Sequence, residues 1–177
     1  PVETNYQTIQ DWDGFERWLE KIQAADLVAL DTETDSLVEM EARLVGISLA
    51  VAPGDACYIP LMHRHPDEAG QLPLDEVLSR LRPWLEDDKA LKLLHHAKYD
   101  AHVFANAGIT LRGVAHDTML QAYVLESHRN VGLQDLAERW LGRQGTSYES
   151  ICGKGAKQIG FDEVAIDVAA HYSAEDS

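Results

Sequence analysis

An apolar run near the start of the chain leads directly into two acidic residues. Leu27-Val28-Ala29-Leu30 is followed by Asp31-Thr32-Glu33, and a short apolar run of this kind is typical of a buried strand. Because side chains alternate along a strand, Asp31 and Glu33 project from the same face. Two neighbouring carboxylates repel each other unless a cation lies between them. The pair therefore predicts a strand that ends in a site for a hard divalent metal, of the kind used in hydrolysis or phosphoryl chemistry.

Composition predicts a protein that neither spans a membrane nor is secreted. The chain has 177 residues, and its longest apolar stretch, residues 44–52, is much shorter than the about 18 residues that cross a bilayer. Its first residues lack the basic and apolar regions of a signal peptide. Cys57 and Cys152 have neither metal-binding spacing nor a disulfide framework. We therefore expect a monomeric cytoplasmic protein that makes no contact with a membrane.

The charge distribution leaves two interpretations open. A net charge of -15 argues against nucleic-acid binding, since phosphate contacts usually leave a basic footprint. Residues 89–157, however, contain nine of the 15 basic residues and six of the 30 acidic ones. This less acidic segment either presents one local face to a phosphate chain or belongs to a protein whose charge serves only solubility.

Hydrophobic periodicity and turn residues predict three meandering strands followed by alternating strands and helices. The predicted strands are 26–33, 44–51, 56–61, 90–95 and 111–115, and the predicted helices are 8–25, 74–86, 98–107, 117–128, 132–141 and 161–176. Residues 62–73 and 142–160 are predicted loops. The inward-facing residues of the helix at 132–141 are predicted to be Leu133, Leu136, Ala137, Trp140 and Leu141. This order describes an α/β fold in which helices pack on a mixed sheet.

Further acidic residues are placed to join the first pair. Asp100 lies in the first turn of a predicted helix, where the helix dipole favours its ionised form, although a simple helix-start role explains it equally well. Tyr172 and Asp176 lie four residues apart and share a helix face, and the small residues at 169–170 predict that this helix packs closely on the sheet. Asp117 is assigned a structural role, because it caps the helix that it begins.

Three motifs in this order carry a resemblance to a known family. Residues 28–37 resemble the first motif of the 3′–5′ exonuclease domain of family A bacterial DNA polymerases, residues 96–100 resemble the second, and residues 172–176 resemble the third. Intermediate stretches at 117–120, 136–141 and 153–155 are also similar, so the resemblance covers nearly the whole chain. It implies an RNase H-like fold with a mixed five-stranded sheet. It also implies a single exonuclease domain over residues 1–177, excised from or truncated within a longer chain that includes the polymerase domain.

The resemblance implies a metal site with two divalent ions, Mg²⁺ or Mn²⁺. Asp31, Glu33 and Asp176 would bind one ion, Asp31 would bridge to a second, and Asp100 would support the second. Tyr172 would orient the attacking water, because a phenol with a pKa near about 10 is a poor general base at neutral pH.

The resemblance also implies contacts to a single-stranded DNA 3′ end from Leu37, His96, Tyr99 and Tyr148. Leu37 would wedge against the terminal bases and Tyr148 would stack under a base. The alternative for Leu37 is a buried loop residue, and for Tyr148 an exposed loop aromatic. His96 departs from the family, which commonly has an amide there. With His95 it is either an additional metal ligand or, more in keeping with an oxygen site, a hydrogen-bond donor to DNA or backbone.

The expected function is removal of nucleotides from single-stranded DNA 3′ ends, the proofreading reaction, by two-metal-ion phosphodiester hydrolysis. Two alternatives remain. One is an inactive domain that holds DNA or supports a polymerase, although all four carboxylates are present. The other is a related 3′–5′ exoribonuclease, a choice that depends on recognition of the 2′-hydroxyl.

Overall fold

The computed structural model describes residues 3–65 and 70–177, so the central part of the loop predicted at 62–73 and the first two residues of the predicted domain lie outside the described residues. Within the described part, six strands form one sheet. They are β1 (Asn5–Thr8), β2 (Val28–Thr34), β3 (Leu44–Ala52), β4 (Asp55–Pro60), β5 (Lys92–Leu94) and β6 (Val114–Asp117). Their order is β1-β4-β3-β2-β5-β6. Strands β2, β3 and β4 form an antiparallel meander, and β5 and β6 extend it in parallel, as predicted.

The predicted five-stranded sheet is one strand short, because β1 adds a sixth. This strand pairs in parallel with β4, from Asn5 opposite Asp55 to Thr8 opposite Tyr58. Residues 5–8 contain no apolar run that predicts a strand, and only the partner strand provides their pairing. The predicted helix over 8–25 begins later, at Trp12, because the Asp11 carboxylate caps it by accepting from the Gly14 N–H at 2.7 Å.

The helices largely follow the predicted order. They are α1 (Trp12–Ala24), α2 (Leu74–Leu85), α3 (Ala97–Asn106), α4 (Thr118–Leu125), α5 (Leu133–Leu136), α6 (Tyr148–Cys152) and α7 (Ile166–Asp176). A 3₁₀ turn over Phe161–Glu163 precedes α7, so the last predicted helix is shorter than expected. No helix in residues 3–65 or 70–177 has the length and hydropathy needed to cross a bilayer.

The prediction of one regular helix over 132–141 is wrong. After α5 the chain continues as a π-helical turn, Ala137–Leu141, in which hydrogen bonds span five residues and the 3.6-residue periodicity no longer applies. Two of the residues predicted to face inward, Trp140 and Leu141, are therefore exposed instead.

Apolar residues pack on both faces of the sheet. On one face, α1, α2 and α3 pack over the strands around Phe15, Trp18 and Phe104. On the other face, α7 lies across β4, β1, β3 and β2, with Ala169 and Ala170 buried as predicted. Helix α4 differs, because none of its residues is buried. We call its exposed apolar side chains, Leu120, Tyr123, Val124 and Leu125, the α4 surface.

Candidate active site

Strand β2 brings Asp31 and Glu33 to the face covered by α7. Asp31 pairs with Ser48 and Glu33 with Gly46 across the β2–β3 ladder. The Ser173 hydroxyl of α7 donates to Glu33 Oε1 at 2.7 Å, which places the Glu33 carboxylate beneath that helix. Asp31 is half-buried and Glu33 is buried. Burial, followed by the charge of Asp31, raises the pKa of Glu33 well above its ordinary value, although the Ser173 hydrogen bond opposes the shift.

Helix α3 supplies the third carboxylate, Asp100, from its first turn. The side chain is buried, and the Thr32 hydroxyl donates to Asp100 Oδ1 at 2.6 Å. The helix N-terminus was expected to keep Asp100 ionised, but burial outweighs the Thr32 hydrogen bond and raises its pKa to about 7. Burial and then the negative charge of Asp100 raise the pKa of Asp31 to about 8.

Helix α7 supplies Tyr172 and Asp176 from the same face, as their spacing predicts. Burial and the charge of Asp31 raise the pKa of Asp176 to about 7. Burial, followed by the charges of Asp176 and Glu33, raises the pKa of the Tyr172 phenol far above its ordinary value. Tyr172 therefore stays protonated at neutral pH and is unsuited to accept a proton.

The four carboxylates form one electrostatic unit. Asp31 is central, because its charge raises the pKa of Glu33 and Asp176 while that of Asp100 raises the pKa of Asp31. As the side chains stand, no three His, Cys, Asp or Glu residues within 3–65 and 70–177 form a group that could hold a metal ion. Glu33 and Asp100 each accept a hydroxyl hydrogen bond from the protein instead. The donor set nevertheless fits Mg²⁺ or Mn²⁺, since it is made of carboxylate oxygens whose mutual repulsion a cation relieves.

The sequence alone did not identify the two hydroxyl residues that hold these carboxylates. Thr32 lies between Asp31 and Glu33 in the sequence, and its hydroxyl contacts the Asp100 carboxylate. Ser173 directly follows Tyr172 and is fully buried against Glu33. The only signal available was the position of each hydroxyl within a motif beside a carboxylate.

A buried polar chain lies beside the carboxylates. The Tyr58 hydroxyl and His63 Nε2 are 2.6 Å apart, and His63 Nδ1 lies 3.0 Å from the Val164 carbonyl oxygen, which only an Nδ1–H can satisfy. His63 Nε2 therefore accepts from Tyr58, and burial lowers the pKa of His63, which favours this neutral form. The Tyr58 side chain lies against the backbone of β3 at Gly46. A Cβ added to Gly46 would lie 2.1 Å from the tyrosine hydroxyl. Residue 46 is therefore glycine because any larger side chain would collide with Tyr58.

The predicted DNA contacts lie in different environments. Leu37 is 89% exposed, which excludes the buried alternative. His96 is exposed at the start of α3 with a left-handed φ of 71°, and its ring stacks on Tyr99 with centroids 6.2 Å apart. The Tyr99 hydroxyl donates to the Ser36 carbonyl at 2.6 Å. Tyr148 lies half-buried in α6 and stacks on Phe161, so it is not an exposed loop aromatic.

Asp117 has the structural role that its position predicts, and the structure extends that role. Its carboxylate accepts from the N–H groups of Met119 and Leu120 at the start of α4 and from those of His96 and Ala97 at the start of α3. Partial burial acts to raise its pKa, but these four backbone donors outweigh it and lower the pKa. One carboxylate therefore caps two helices.

The sheet order, the helices on both faces and the carboxylates on the central strand define an RNase H-like fold. RNase D from Escherichia coli superposes with a TM-score of 0.67 at 23% identity, covering 98% of this chain and 41% of that one. NrnC from Brucella melitensis, solved with bound Mg²⁺, superposes with a TM-score of 0.65 at 20% identity, covering 99% of this chain and 75% of that one.

Sequence comparison defines the family within that fold. Residues 6–177 match the 3′–5′ exonuclease family, and the chain belongs to it, which confirms the resemblance drawn from the three motifs. DNA polymerase I from Pseudomonas aeruginosa is 48% identical over 179 residues, covering 99% of this chain and 20% of that protein. The chain thus spans about a fifth of the length of this relative.

Proposed function

We propose that the chain is a divalent-metal-dependent exonuclease that removes nucleotides from the 3′ ends of single-stranded DNA. Membership of the 3′–5′ exonuclease family supports the reaction class. The observation that carries the metal dependence is the electrostatic unit around Asp31, in which three of the four carboxylates have their pKa values raised partly by the charge of another member. A protein that gathers four acidic groups at this cost has a binding site for positive charge.

The residues have distinct roles in this proposal. Asp31, Glu33 and Asp176 would hold one ion, and Asp31 with Asp100 would hold the second. When bound, the two ions supply positive charge at the attacking and leaving oxygens of phosphodiester hydrolysis. The Mg²⁺ found in NrnC, which shares the fold, supports this choice of ion. Thr32 and Ser173 keep Asp100 and Glu33 oriented, and the protonated Tyr172 phenol positions the attacking water by hydrogen bonding.

DNA is the proposed substrate because a relative that is 48% identical and covers 99% of this chain is a DNA polymerase I. In such a polypeptide the domain would trim 3′ ends that the polymerase part has extended wrongly, which is proofreading. The charge of -15 predicts that the chain alone binds DNA weakly. Any contacts that its lysine and arginine side chains make to phosphates should weaken as salt rises.

The test is nucleotide release from end-labelled single-stranded DNA and RNA of the same sequence, with Mg²⁺ or Mn²⁺. Asp31→Ala and Asp100→Ala are compared with Asp26→Ala, which removes an exposed acidic residue outside the site. We expect DNA to be shortened from its 3′ end by the wild type and Asp26→Ala, and not by the two site variants. Calorimetric titration with Mn²⁺ supplies a second readout, since the site variants should lose binding.

Three outcomes would contradict the proposal in different ways. Mn²⁺ binding at the carboxylates without turnover would favour the inactive polymerase domain. Faster shortening of RNA than of DNA would favour the exoribonuclease. Site variants as active as the wild type would place the chemistry elsewhere in the chain.

A further inference from the structure

The loop between β2 and β3 presents three large apolar side chains to solvent. Leu37, Val38 and Met40 are 89%, 53% and 67% exposed, and we call them the loop apex. Single exposed apolar side chains are ordinary on a protein surface. Three within four residues form an exposed apolar cluster, which begins four positions after Glu33 in the chain.

The loop is closed at its base by its own hydrogen bonds. The Arg43 N–H and Nε donate to the Asp35 carboxylate at 2.9 and 2.7 Å. The N–H groups of Glu41 and Ala42 both donate to the Val38 carbonyl at 2.9 Å. The loop is therefore a small closed unit, and the position of its apex depends on what anchors that unit to the rest of the fold.

Helix α3 anchors the loop at two points. The Tyr99 hydroxyl donates to the Ser36 carbonyl at 2.6 Å, on the near side of the apex. The Asn106 side-chain amide donates at 2.8 Å to the Glu39 carbonyl, which lies within the apex, and at 3.2 Å to the Ala42 carbonyl, which follows it. Tyr99 and Asn106 are seven residues apart, about two turns, so they lie on one face of the helix. The same helix carries Asp100, so the apex is held by the element that holds a site carboxylate.

We propose that Asn106 is a positioning residue that fixes the loop apex relative to the carboxylates, and through Leu37 determines how the terminal bases of a single-stranded 3′ end are engaged. Asn106 is exposed at the last residue of α3 and takes no part in the packing of the core. Its side-chain amide bonds the Glu39 carbonyl within the apex and the Ala42 carbonyl after it. The inference rests on the proposed function, because it assigns a substrate contact to that reaction.

The experiment is a double-mutant cycle on the full chain with Leu37→Ala, Asn106→Ala and both together. The substrates are a single-stranded oligodeoxynucleotide and the 4-nitrophenyl ester of thymidine 5′-monophosphate, which has no second base. We expect Asn106→Ala to raise KM for the oligonucleotide about tenfold with kcat changed less than about twofold, since a binding contact is lost. The double variant should match the larger single effect, because both substitutions remove one contact. For the nitrophenyl ester, Asn106→Ala should leave kcat unchanged.

A matched control removes a comparable hydrogen bond far from the loop. Asn5→Ala deletes the amide that donates to Asp55 Oδ1 at 2.9 Å on β1, and it should leave both substrates unaffected. A kcat loss shared by both substrates, additive effects of the two substitutions, or an unchanged KM in Asn106→Ala would overturn the inference while leaving the proposed function standing. Absence of turnover by the wild type contradicts the proposed function itself, and the inference falls with it.

Discussion

The α7 side of the sheet and the α4 surface distribute polar and apolar groups in opposite ways. Under α7, the carboxylate of Glu33 and the phenol of Tyr58 are buried and hydrogen-bonded to protein groups. On α4, Val124 and Leu125 are 82% and 71% exposed. The molecule thus buries charge in one region and leaves hydrocarbon in water in the other.

Neither arrangement is what the stability of the fold alone would favour. Burying carboxylates that repel each other opposes folding, and exposed apolar area forgoes about 25 cal/mol of stabilisation per Å². In the α7 region the burial of repelling carboxylates has a functional explanation, because these carboxylates form the candidate active site. The two regions should therefore respond differently to substitution, and three predictions test this.

The largest expected effect is at Asp31. Asp31→Asn should lower nucleotide release at least about a thousandfold, because several kcal/mol of charge stabilisation in the transition state would be lost. The same change should stabilise the metal-free protein at pH 8 by on the order of 1–3 kcal/mol, since it removes a carboxylate whose pKa is raised to about 8. Urea unfolding in EDTA measures the second effect.

The stability gained by Asp31→Asn should depend on pH, and the direction of the Asp31 pKa shift gives the sign of that dependence. The folded-state pKa of Asp31 lies above its ordinary value of 3.8, so the wild type loses stability as the pH rises from about 4 to about 8. The advantage of Asp31→Asn should therefore vanish near pH 4. Asp26→Asn is the control and should change neither the rate of nucleotide release nor the free energy of unfolding. An advantage that is the same at both pH values would contradict the electrostatic explanation.

A smaller effect is expected where the backbone of β3 passes Tyr58. Gly46→Ala places a Cβ 2.1 Å from the Tyr58 hydroxyl, and overpacking of this kind should lower the free energy of unfolding by about 3 kcal/mol. Gly145→Ala is the matched control, because its nearest neighbour lies 3.7 Å away and its φ is not positive. Equal stability of the two variants by urea unfolding would show that Tyr58 moves aside freely.

The smallest effect is expected on the α4 surface. Val124→Ser should change the free energy of unfolding by less than about 0.5 kcal/mol, because the side chain is already in water. Ala170→Ser, on the buried face of α7, provides the contrast and should be clearly destabilising. If Val124→Ser were the more damaging change in thermal unfolding, the α4 surface would not be free in solution.

Most of the fold was predictable from local patterns, and the failures have physical causes. The β3–β4 hairpin followed from two apolar runs around Pro53-Gly54-Asp55. Strand β1 was missed because its pairing with β4 is between residues about 50 positions apart and residues 5–8 have no distinguishing pattern. Trp140 was placed inward because a regular helical period was assumed where the backbone forms a π turn.

The candidate site also has features that local sequence patterns predict and features that they do not. The placement of Asp31 with Glu33, and of Tyr172 with Asp176, on a shared face was predictable from strand and helix periodicity. The bonds that hold two of the carboxylates, Thr32 to Asp100 and Ser173 to Glu33, join residues 68 and 140 positions apart. No periodicity encodes such contacts, and neither does it encode the burial that raises the pKa of Asp100.

The Asp117 carboxylate connects the first turn of α3 to the first turn of α4. Helix α4 is bound to α3 through this group, and α3 carries both Asp100 and Asn106. Loss of the Asp117 carboxylate would therefore leave backbone N–H groups at the start of both helices without this acceptor. One substitution at a residue outside the four-carboxylate site would thus weaken the first turn of the helix that carries Asp100.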